Sequence, residues 1–178
     1  MTDTRNIKND AEREDARIGY QVATNLWSYE GTIHWNKFHT FLVANSIVFT
    51  GLILILTNGT SNGLLPLALP VVGLILCLIW LLVIRRGLDY YKYWIFSARE
   101  LEESHLSPTV NIVSRGGDFA DGREVTFTIS GSERHHRLSC ISSILKVRGA
   151  SYLLIAIFAV LYVLSLIVIL MDRIQSAK

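Results

Sequence analysis

Arg99 and His105 are the pair in this sequence whose types could act on a phosphodiester. They stand six positions apart, as in the loose arginine–spacer–histidine pattern of a family of small helical ribonucleases. An arginine can stabilise negative charge there while a histidine moves a proton. The pattern is permissive enough to arise by chance, and Arg99 is equally explained by an i,i+4 ion pair with Glu103. We therefore predict no catalytic residues and no enzymatic activity.

A second candidate is a metal site at His135, His136 and Cys140. His136 and Cys140 are four positions apart and would share one face of a helix. Two ligands do not complete a tetrahedral zinc site, and the sequence places no further ligand convincingly nearby. A basic helix that faces anionic lipid explains the segment better, so we predict neither a metal nor another cofactor.

The third candidate is a set of polar side chains inside an apolar segment, namely Asn45, Ser46, Thr50 and Thr57. Helical spacing places Ser46, Thr50 and Thr57 on one face, with Asn45 beside it. Polar groups at membrane depth usually face protein or water. Two interpretations stay open: these residues make helix–helix contacts, or they line the wall of an aqueous pore.

The apolar segments that position these residues occupy 41–57, 64–84 and 150–171, and none contains a charged residue. A span across ~30 Å of hydrocarbon needs roughly 17–25 residues. We therefore predict transmembrane helices at 40–57, 63–84 and 150–171. The short link between the first two requires an antiparallel hairpin. The absence of intramembrane charge and of an internal repeat argues against a pump or transporter.

Aromatic and small residues near the spans are predicted to pack or to lie at interfaces. Trp35 and Phe38 would belt the entry to the first span, and an aromatic cluster follows the second span. Cys77 lies in an apolar segment and Cys140 in a polar one, so both are predicted to be free thiols. The full set of predicted interface and packing residues is Trp35, Phe38, Gly73, Cys77, Trp80, Tyr90 and Trp94.

Lysine and arginine set the predicted orientation. They are concentrated before the first span and in 85–149, whereas the hairpin turn has none. The positive-inside rule then places the N-terminus and the insert in the cytoplasm, and the C-terminus outside. The net charge of +2 is too small to imply nucleic-acid binding. The basic residues predicted to face lipid or a partner are Arg85, Arg86, Arg134, Arg137, Lys146 and Arg148.

The segments outside the spans differ in composition. Residues 1–16 are charged and predicted to be a disordered cytoplasmic tail, and 17–39 an amphipathic helix. The second span is predicted to continue as a cytoplasmic stalk to 104, stabilised by Arg85–Asp89 and Arg99–Glu103 pairs and closed by Pro108. The last residues, 172–178, are predicted to form a short external tail.

The insert at 108–149 is predicted to contain a β-hairpin and an amphipathic helix. The strands are placed at 110–115 and at 123–130, where apolar and polar residues alternate. The helix is placed at 132–147. The predicted fold class is therefore a mainly α membrane protein, with a transmembrane hairpin, a third transmembrane helix and this small cytoplasmic insert.

Part of the chain resembles a known family. The stretch from Trp35 to Asn45, then Cys77-Leu-Ile-Trp80, then a charged aromatic helix ending at Glu103, resembles small bacterial inner-membrane proteins of the RipA-like octameric group. That group is similar in outline to the membrane accessory protein of some RNA-targeting CRISPR systems. The resemblance covers roughly residues 27–103. It implies a ring-shaped homo-oligomer, expected to be an octamer, in the cytoplasmic membrane, with roles in stress adaptation, host interaction or phage defence.

Two hypotheses follow from the residues and the resemblance. In the first, polar first-span faces and basic inserts of an oligomeric assembly form a central passage or a docking ring. In the second, the protein anchors a cytoplasmic effector at the membrane through 108–149. Membrane lipids, other copies of the chain and a cytoplasmic protein are the predicted partners.

Overall fold

The computed structural model describes residues 3–57, 63–107, 109–139 and 147–176, with backbone alone at 3–9, 147 and 176. The elements in chain order are α1 (Asp3–Thr57), α2 (Leu65–Leu101), a π-helical turn (Glu102–Leu106), α3 (Ile112–Ala120), β1 (Val125–Ile129), β2 (Ser132–His136) and α4 (Val147–Ser176). The predicted interhelical turn at 58–62, Pro108 and the stretch 140–146 lie outside the described residues.

Within the described part of the chain, three helices are long and apolar enough to cross a membrane, namely α1, α2 and α4. Their most apolar 18-residue windows have mean hydropathies of 2.1, 3.0 and 3.2. The value for α1 is lowest because its apolar segment also contains one amide and several hydroxyl side chains. These helices, together with a small β-hairpin before the last of them, confirm the predicted fold class.

The chain forms two compact units. The apolar unit comprises Ile33–Gly87 and Val147–Lys178, and the polar unit comprises Met1–Thr32 and Leu88–Lys146. The apolar unit contains all three predicted spans. The polar unit contains α3 and the β-hairpin.

In the apolar unit, α1 and α2 pack as the predicted antiparallel pair. The Phe41 and Trp80 rings stack with centroids 6.1 Å apart, and Asn45 contacts Cys77 further along α1. Later residues of α1 thus contact earlier residues of α2, so the two helices run in opposite directions. The third helix, α4, adds Phe158 against Trp80, with ring centroids 6.3 Å apart. Aromatic packing of this kind adds to the ordinary burial of apolar surface.

In the polar unit, the N-terminal part of α1 packs against the C-terminal part of α2. Trp27 meets Tyr91 edge to face, with ring centroids 5.8 Å apart. A small core of Ala23, Ala98 and Val113 brings α3 onto this pair of helices. Alanine at two of the three positions lets the helix backbones approach closely.

The N-terminal part of α1 differs from the prediction. The helix is continuous from Asp3, where the sequence predicted a disordered tail to residue 16. Ala16 is buried, 6% exposed, and Arg13 donates a 3.5 Å hydrogen bond to Thr109. The charged composition predicted disorder because it does not reveal these contacts. The segment is charged, but one of its faces finds a partner within the polar unit.

The predicted continuation of α2 as a helix to 104 agrees with the structure, since the helix and its π-helical turn extend to Leu106. The predicted ion pairs along it are wrong: among the described residues, Arg85 forms no ion pair with Asp89, nor Arg99 with Glu103. Glu103 instead accepts a 3.2 Å hydrogen bond from the Ser114 hydroxyl.

The insert has its hairpin one strand later than predicted. The predicted strand at 110–115 is wrong, because α3 begins at Ile112. The predicted strand at 123–130 is confirmed as β1, but its antiparallel partner is β2, in register Val125↔His136 and Ile129↔Ser132. The predicted helix at 132–147 is therefore wrong over β2.

A tight turn explains the hairpin. Ser130 and Gly131 have φ angles of 52° and 77°, and two consecutive positive φ values are the signature of the two-residue turn that matches strand twist. Once the chain reverses there, the residues that follow pair with β1 instead of forming a helix.

Candidate assembly surface and passage lining

Asn45 lies at the junction of the three helices of the apolar unit and is fully buried, 0% exposed. Its side-chain amide donates to the Phe41 carbonyl at 2.9 Å, and its side-chain oxygen accepts from the Cys77 thiol at 3.4 Å. The Tyr162 hydroxyl donates to the Asn45 backbone carbonyl at 2.9 Å. A buried polar group is costly unless bonded, and this one is bonded through its side-chain amide, its side-chain oxygen and its backbone carbonyl.

Ser46, Thr50 and Thr57 are exposed on a face of α1 that lies roughly 100–140° around the helix from Asn45. Each hydroxyl donates to the carbonyl four residues earlier, at 2.8, 2.8 and 3.0 Å. That bond satisfies the donor inside the helix and leaves oxygen lone pairs facing outward. The structure thus separates Asn45, which joins helices, from three hydroxyls that no other helix of the same chain covers.

The exposed faces of the other two spans are different. At 64–84 and at 150–171, all of whose side chains are described, every exposed residue is apolar. Typical examples are Val72, 45% exposed, and Leu164, 53% exposed. The exposed hydroxyls of the three apolar segments are therefore confined to α1. Such a one-sided distribution suits lipid on α2 and α4 and something more polar on α1.

The predicted packing residues occupy two environments. Cys77 and Trp80 are buried in the apolar unit, and Gly73 is buried beneath the Tyr162 ring. A Cβ at Gly73 would overlap that ring, so the glycine permits the close approach of Tyr162. The remaining predicted residues are half-buried or exposed, and these are Trp35, Phe38, Tyr90 and Trp94.

The predicted basic residues lie on the surface wherever their side chains are described. In the apolar unit, the Arg148 guanidinium lies over the Tyr152 ring, 5.6 Å from its centroid. In the polar unit, Arg137 donates to the Gly122 carbonyl at 3.0 Å. Lys146 lies outside the described residues. The exposed members of the set are Arg85, Arg86, Arg134, Arg137 and Arg148.

The residues considered for catalysis lie in different surroundings. The Arg99 guanidinium packs onto Gly117, whereas His105 is exposed and its Nδ1 lies 2.6 Å from the Ser104 hydroxyl. His135 and His136 are consecutive in β2, so their side chains point to opposite faces of the hairpin.

The two histidines accordingly have separate partners. His135 lies 3.1 Å from Glu124, and His136 stacks on Phe119 with ring centroids 5.2 Å apart. Cys140 lies outside the described residues. Among the described residues no cluster of three metal-ligating side chains occurs.

Sequence reasoning missed one buried anion, Glu102, which is 0% exposed in the polar unit. Its carboxylate accepts backbone hydrogen bonds from Ile112, from Val113 at 3.0 Å and from Ser114 at 2.7 Å. The Tyr20 hydroxyl also donates to it at 3.3 Å. Glu102 thus caps α3 from a distant position in the sequence. No local signal predicts such a cap, because the usual capping residue directly precedes its helix.

The environment of Glu102 shifts two pKa values in opposite directions. Burial raises the pKa of the Glu102 carboxyl, but the hydrogen bonds from Ser114, Val113 and Ile112 outweigh it, so the pKa lies below its ordinary value. Burial, together with the charge of Glu102 and the hydrogen bond to it, raises the pKa of Tyr20 to about 12. At neutral pH the pair is therefore a carboxylate and a protonated phenol.

Three apolar helices, one of which exposes hydroxyl groups, define a helical membrane protein with a surface suited to self-association. The family model of the octameric membrane protein family, 8xMP, matches residues 19–171. The chain therefore belongs to this family, and it is an oligomeric membrane protein. This confirms the predicted resemblance to an octameric group and extends it over α4. No curated protein and no solved structure matches the chain.

Proposed function

We propose that the protein forms a homo-oligomeric ring in the bacterial inner membrane and that the exposed face of α1 in the apolar unit lines a water-filled passage. The observation that carries the proposal is the confinement of exposed hydroxyls to α1, at Ser46, Thr50 and Thr57. A ring would repeat these groups in every protomer. The aliphatic faces of α2 and α4 would then meet lipid.

This lining would be uncharged, with its hydroxyls set among exposed aliphatic side chains such as Ile47 and Leu54. Each hydroxyl proton is bonded within α1, so the oxygen lone pairs are available to accept hydrogen bonds from water. The same self-satisfied hydroxyls would also tolerate close packing against a neighbouring helix. Whether these hydroxyls contact water in the assembled protein therefore distinguishes a passage from a dry helix–helix interface.

Thiol accessibility tests this distinction. In a Cys140→Ser background, Ser46→Cys and Thr50→Cys should react with a membrane-impermeant thiol reagent in the assembled protein. Val72→Cys and Leu164→Cys, on the aliphatic faces, are the matched controls and should not react. Equal protection of all four cysteines would refute a passage and favour a dry interface.

Flux through liposomes gives a second readout. Thr50→Val removes a hydroxyl while keeping the side-chain volume and should lower flux of a small neutral solute, whereas Val72→Ala on α2 should not. Asn45→Leu is not a test of the lining, because Asn45 bonds to the other helices and its loss would disturb folding. Assembled protein that gives no flux above empty liposomes would contradict the passage.

We further propose that the N-terminus and the polar unit lie in the cytoplasm and that the C-terminus lies outside. The proposal rests on the excess of lysine and arginine before α1 and after α2. A fluorescent protein and a periplasmic phosphatase, each fused to the C-terminus, test it. Phosphatase activity without fluorescence is expected, and the reverse pattern would overturn the orientation.

The second candidate function is a membrane anchor that recruits a cytoplasmic effector through the insert. A groove of about 360 Å³ in the polar unit favours it, lined by Ile112, Arg115, Phe119 and Phe127 among others. Ile112 is 73% exposed and Phe127 40%. Ile112→Asp should abolish co-purification of a defined effector without changing the oligomer, with exposed Ser104→Asp as control. Retained binding would exclude this groove.

The cellular role that we propose is in stress response or phage defence, and it involves no catalysis. The separate surroundings of Arg99 and His105 support the second part. RNA cleavage that is lost in His105→Ala would overturn it. Reduced survival of a deletion strain under envelope stress or phage challenge, restored by the wild-type chain, is expected; unchanged survival under both conditions would exclude the role.

A further inference from the structure

The exposed face of α1 in the polar unit has no charge over a long stretch. All side chains from Ile18 to Thr32 are described, and none of the exposed ones is ionisable as an acid or a base near neutral pH. The exposed residues are Ile18, Gln21, Val22, Asn25, Ser28, Tyr29 and Thr32. Depletion of charge with retention of aromatic and aliphatic side chains is typical of the core of an interface.

The apolar members of this face form one side of the helix. Ile18, Val22 and Tyr29 are 52%, 50% and 61% exposed. Their spacing of four and then seven residues corresponds to nearly whole turns at 100° per residue, so they align along α1. We call these three residues the α1 patch.

A second apolar surface lies on α2 in the same unit. Tyr93 and Phe96 are 59% and 60% exposed and stand three residues apart, on neighbouring positions of one helix face. We call these two residues the α2 patch. Single exposed apolar residues are ordinary, but adjacent exposed aromatics indicate a surface that another molecule covers.

The Tyr29 end of the α1 patch lies at the level of the α2 patch along the paired helices. Trp27 contacts the Tyr91 ring, and a Cβ at Gly31 would lie 3.6 Å from it, so Tyr29 is level with Tyr91. Towards the other end, Tyr20 bonds to Glu102. The segment of α1 between these contacts therefore runs beside the segment of α2 that carries Tyr93 and Phe96.

Matching levels are what a ring requires. Rotation about an axis along the helices moves a residue around the ring without changing its level, and a ring forms from two different surfaces that meet head to tail. Tyr29 of one protomer can then meet the α2 patch of the next with no shift along the axis. The uncharged α1 face also presents no like charge to Asp89, Lys92 or Glu100 on α2.

The available area also favours a second copy of the chain as the occupant. With aromatic side chains burying about 150–250 Å² each when fully covered, the two patches supply on the order of 500 Å² together. That is below the roughly 1,200 Å² typical of a stable interface that stands alone. It suits a contact between protomers that their transmembrane helices already hold together.

We infer that the α1 patch of one protomer packs against the α2 patch of the next protomer, in a head-to-tail contact repeated around the ring. This inference rests on the ring assembly proposed above but not on a central passage. The contact would hold the polar units in register, and its partner is another copy of this chain.

Disulfide cross-linking in native membranes tests the contact. In a Cys140→Ser background that retains the buried Cys77, the Tyr29→Cys/Tyr93→Cys double variant should give, on oxidation, a ladder extending beyond dimer towards octamer. Tyr29→Cys alone should give no product. Glu14→Cys/Tyr93→Cys is the matched control, since exposed Glu14 lies 15 residues, or about 22 Å at 1.5 Å per residue, from Tyr29 along α1.

Each outcome decides the inference. Dimers from Tyr29→Cys alone would show a two-fold contact and overturn it, as would an intact octamer in which the double variant gives no ladder. Tyr93→Lys/Phe96→Lys adds a second measurement, because both residues are exposed and the helix should still fold. Unchanged circular dichroism with an octamer that dissociates at a lower temperature than the wild type, followed by gel filtration, is expected, and an equally stable octamer would overturn the contact.

Failure of the passage is distinguishable from failure of the contact. A cross-linked ladder without liposome flux refutes the passage and leaves the contact standing. Flux from an assembled protein without the ladder refutes the contact and leaves the passage standing.

Discussion

Replacing Glu102 should loosen α3 far more than the rest of the polar unit. Its carboxylate accepts three backbone hydrogen bonds at the start of α3 and one from Tyr20. A hydrogen bond to a charged group contributes about 1.5–3 kcal/mol, and the helix dipole adds about 0.3–1 kcal/mol for an anion at an N-terminus. These contributions overlap, so we expect Glu102→Ala to cost about 3–5 kcal/mol.

Graded substitutions separate the charge from the hydrogen bonds. Glu102→Gln keeps an accepting oxygen but removes the charge, and should cost about 1–2 kcal/mol less than Glu102→Ala. Tyr20→Phe removes one donor to the carboxylate and should cost about 1 kcal/mol. Because Tyr20 and Glu102 are in contact, the double variant should be less destabilised than the sum of the two single variants.

Amide hydrogen exchange in detergent is the appropriate assay, because it reports local opening and not only global unfolding. A loss of about 3–5 kcal/mol corresponds to exchange of the α3 amides roughly 10² to 4 × 10³ times faster, at 1.4 kcal/mol per tenfold. Glu103→Ala is the matched control, because the exposed Glu103 bonds, among the described residues, only to the Ser114 hydroxyl. It should change exchange by no more than a few fold.

The stabilisation of α3 by Glu102 should depend on pH. The folded pKa of Glu102 lies below its value of about 4.3 in an unfolded chain. Its stabilisation is therefore complete above that unfolded pKa and is lost as the pH falls through the folded pKa. Glu102→Gln should remove this acid-dependent step in α3 exchange. Equal exchange of α3 in the wild type and in Glu102→Ala at neutral pH would refute the reasoning.

Three further predictions concern close contacts. Gly73→Ala should cost about 1–3 kcal/mol of stability, because the added methyl group overlaps with Tyr162. Gly51→Ala, which has open space around it, should be neutral or stabilising in thermal melts of the detergent-solubilised protein. Equal melting points of the two variants would contradict this. Tyr162→Phe should cost about 1 kcal/mol by removing the bond to the Asn45 carbonyl, and an unchanged melting point would disprove that contribution. Gly131→Ala should cost about 1–2 kcal/mol because its φ of 77° disfavours a side chain, seen as faster proteolysis within the β-hairpin; unaltered digestion would count against the turn geometry.

The membrane spans follow from composition because hydrocarbon acts as a solvent on each segment separately. A helix satisfies its own backbone hydrogen bonds, so length and apolarity suffice to recognise it. The sequence of α4 has no charge over 150–171, and no knowledge of neighbours is needed to assign it. The strand β1 was similarly visible, through the alternation of Val125, Phe127 and Ile129 with polar residues.

A cap from a distant residue and the backbone angles of one turn decided the structure around that strand. The stretch from Val110 contains several β-branched residues and reads locally as a strand, yet Glu102 supplies the cap that makes it helical. Similarly, the partner of β1 depended on whether Ser130 and Gly131 would both adopt positive φ. In each case the deciding interaction involves residues or angles that a local pattern does not contain.

The candidate surface shows the same division. Composition and helical spacing identified Asn45, Ser46, Thr50 and Thr57 as the polar residues of the first span. Only the packed structure assigned Asn45 to the helix junction and left the hydroxyls exposed. The physical reason is that periodicity gives the angle between side chains on a helix, whereas the rotation of the helix towards its neighbours depends on where Cys77 and Tyr162 lie.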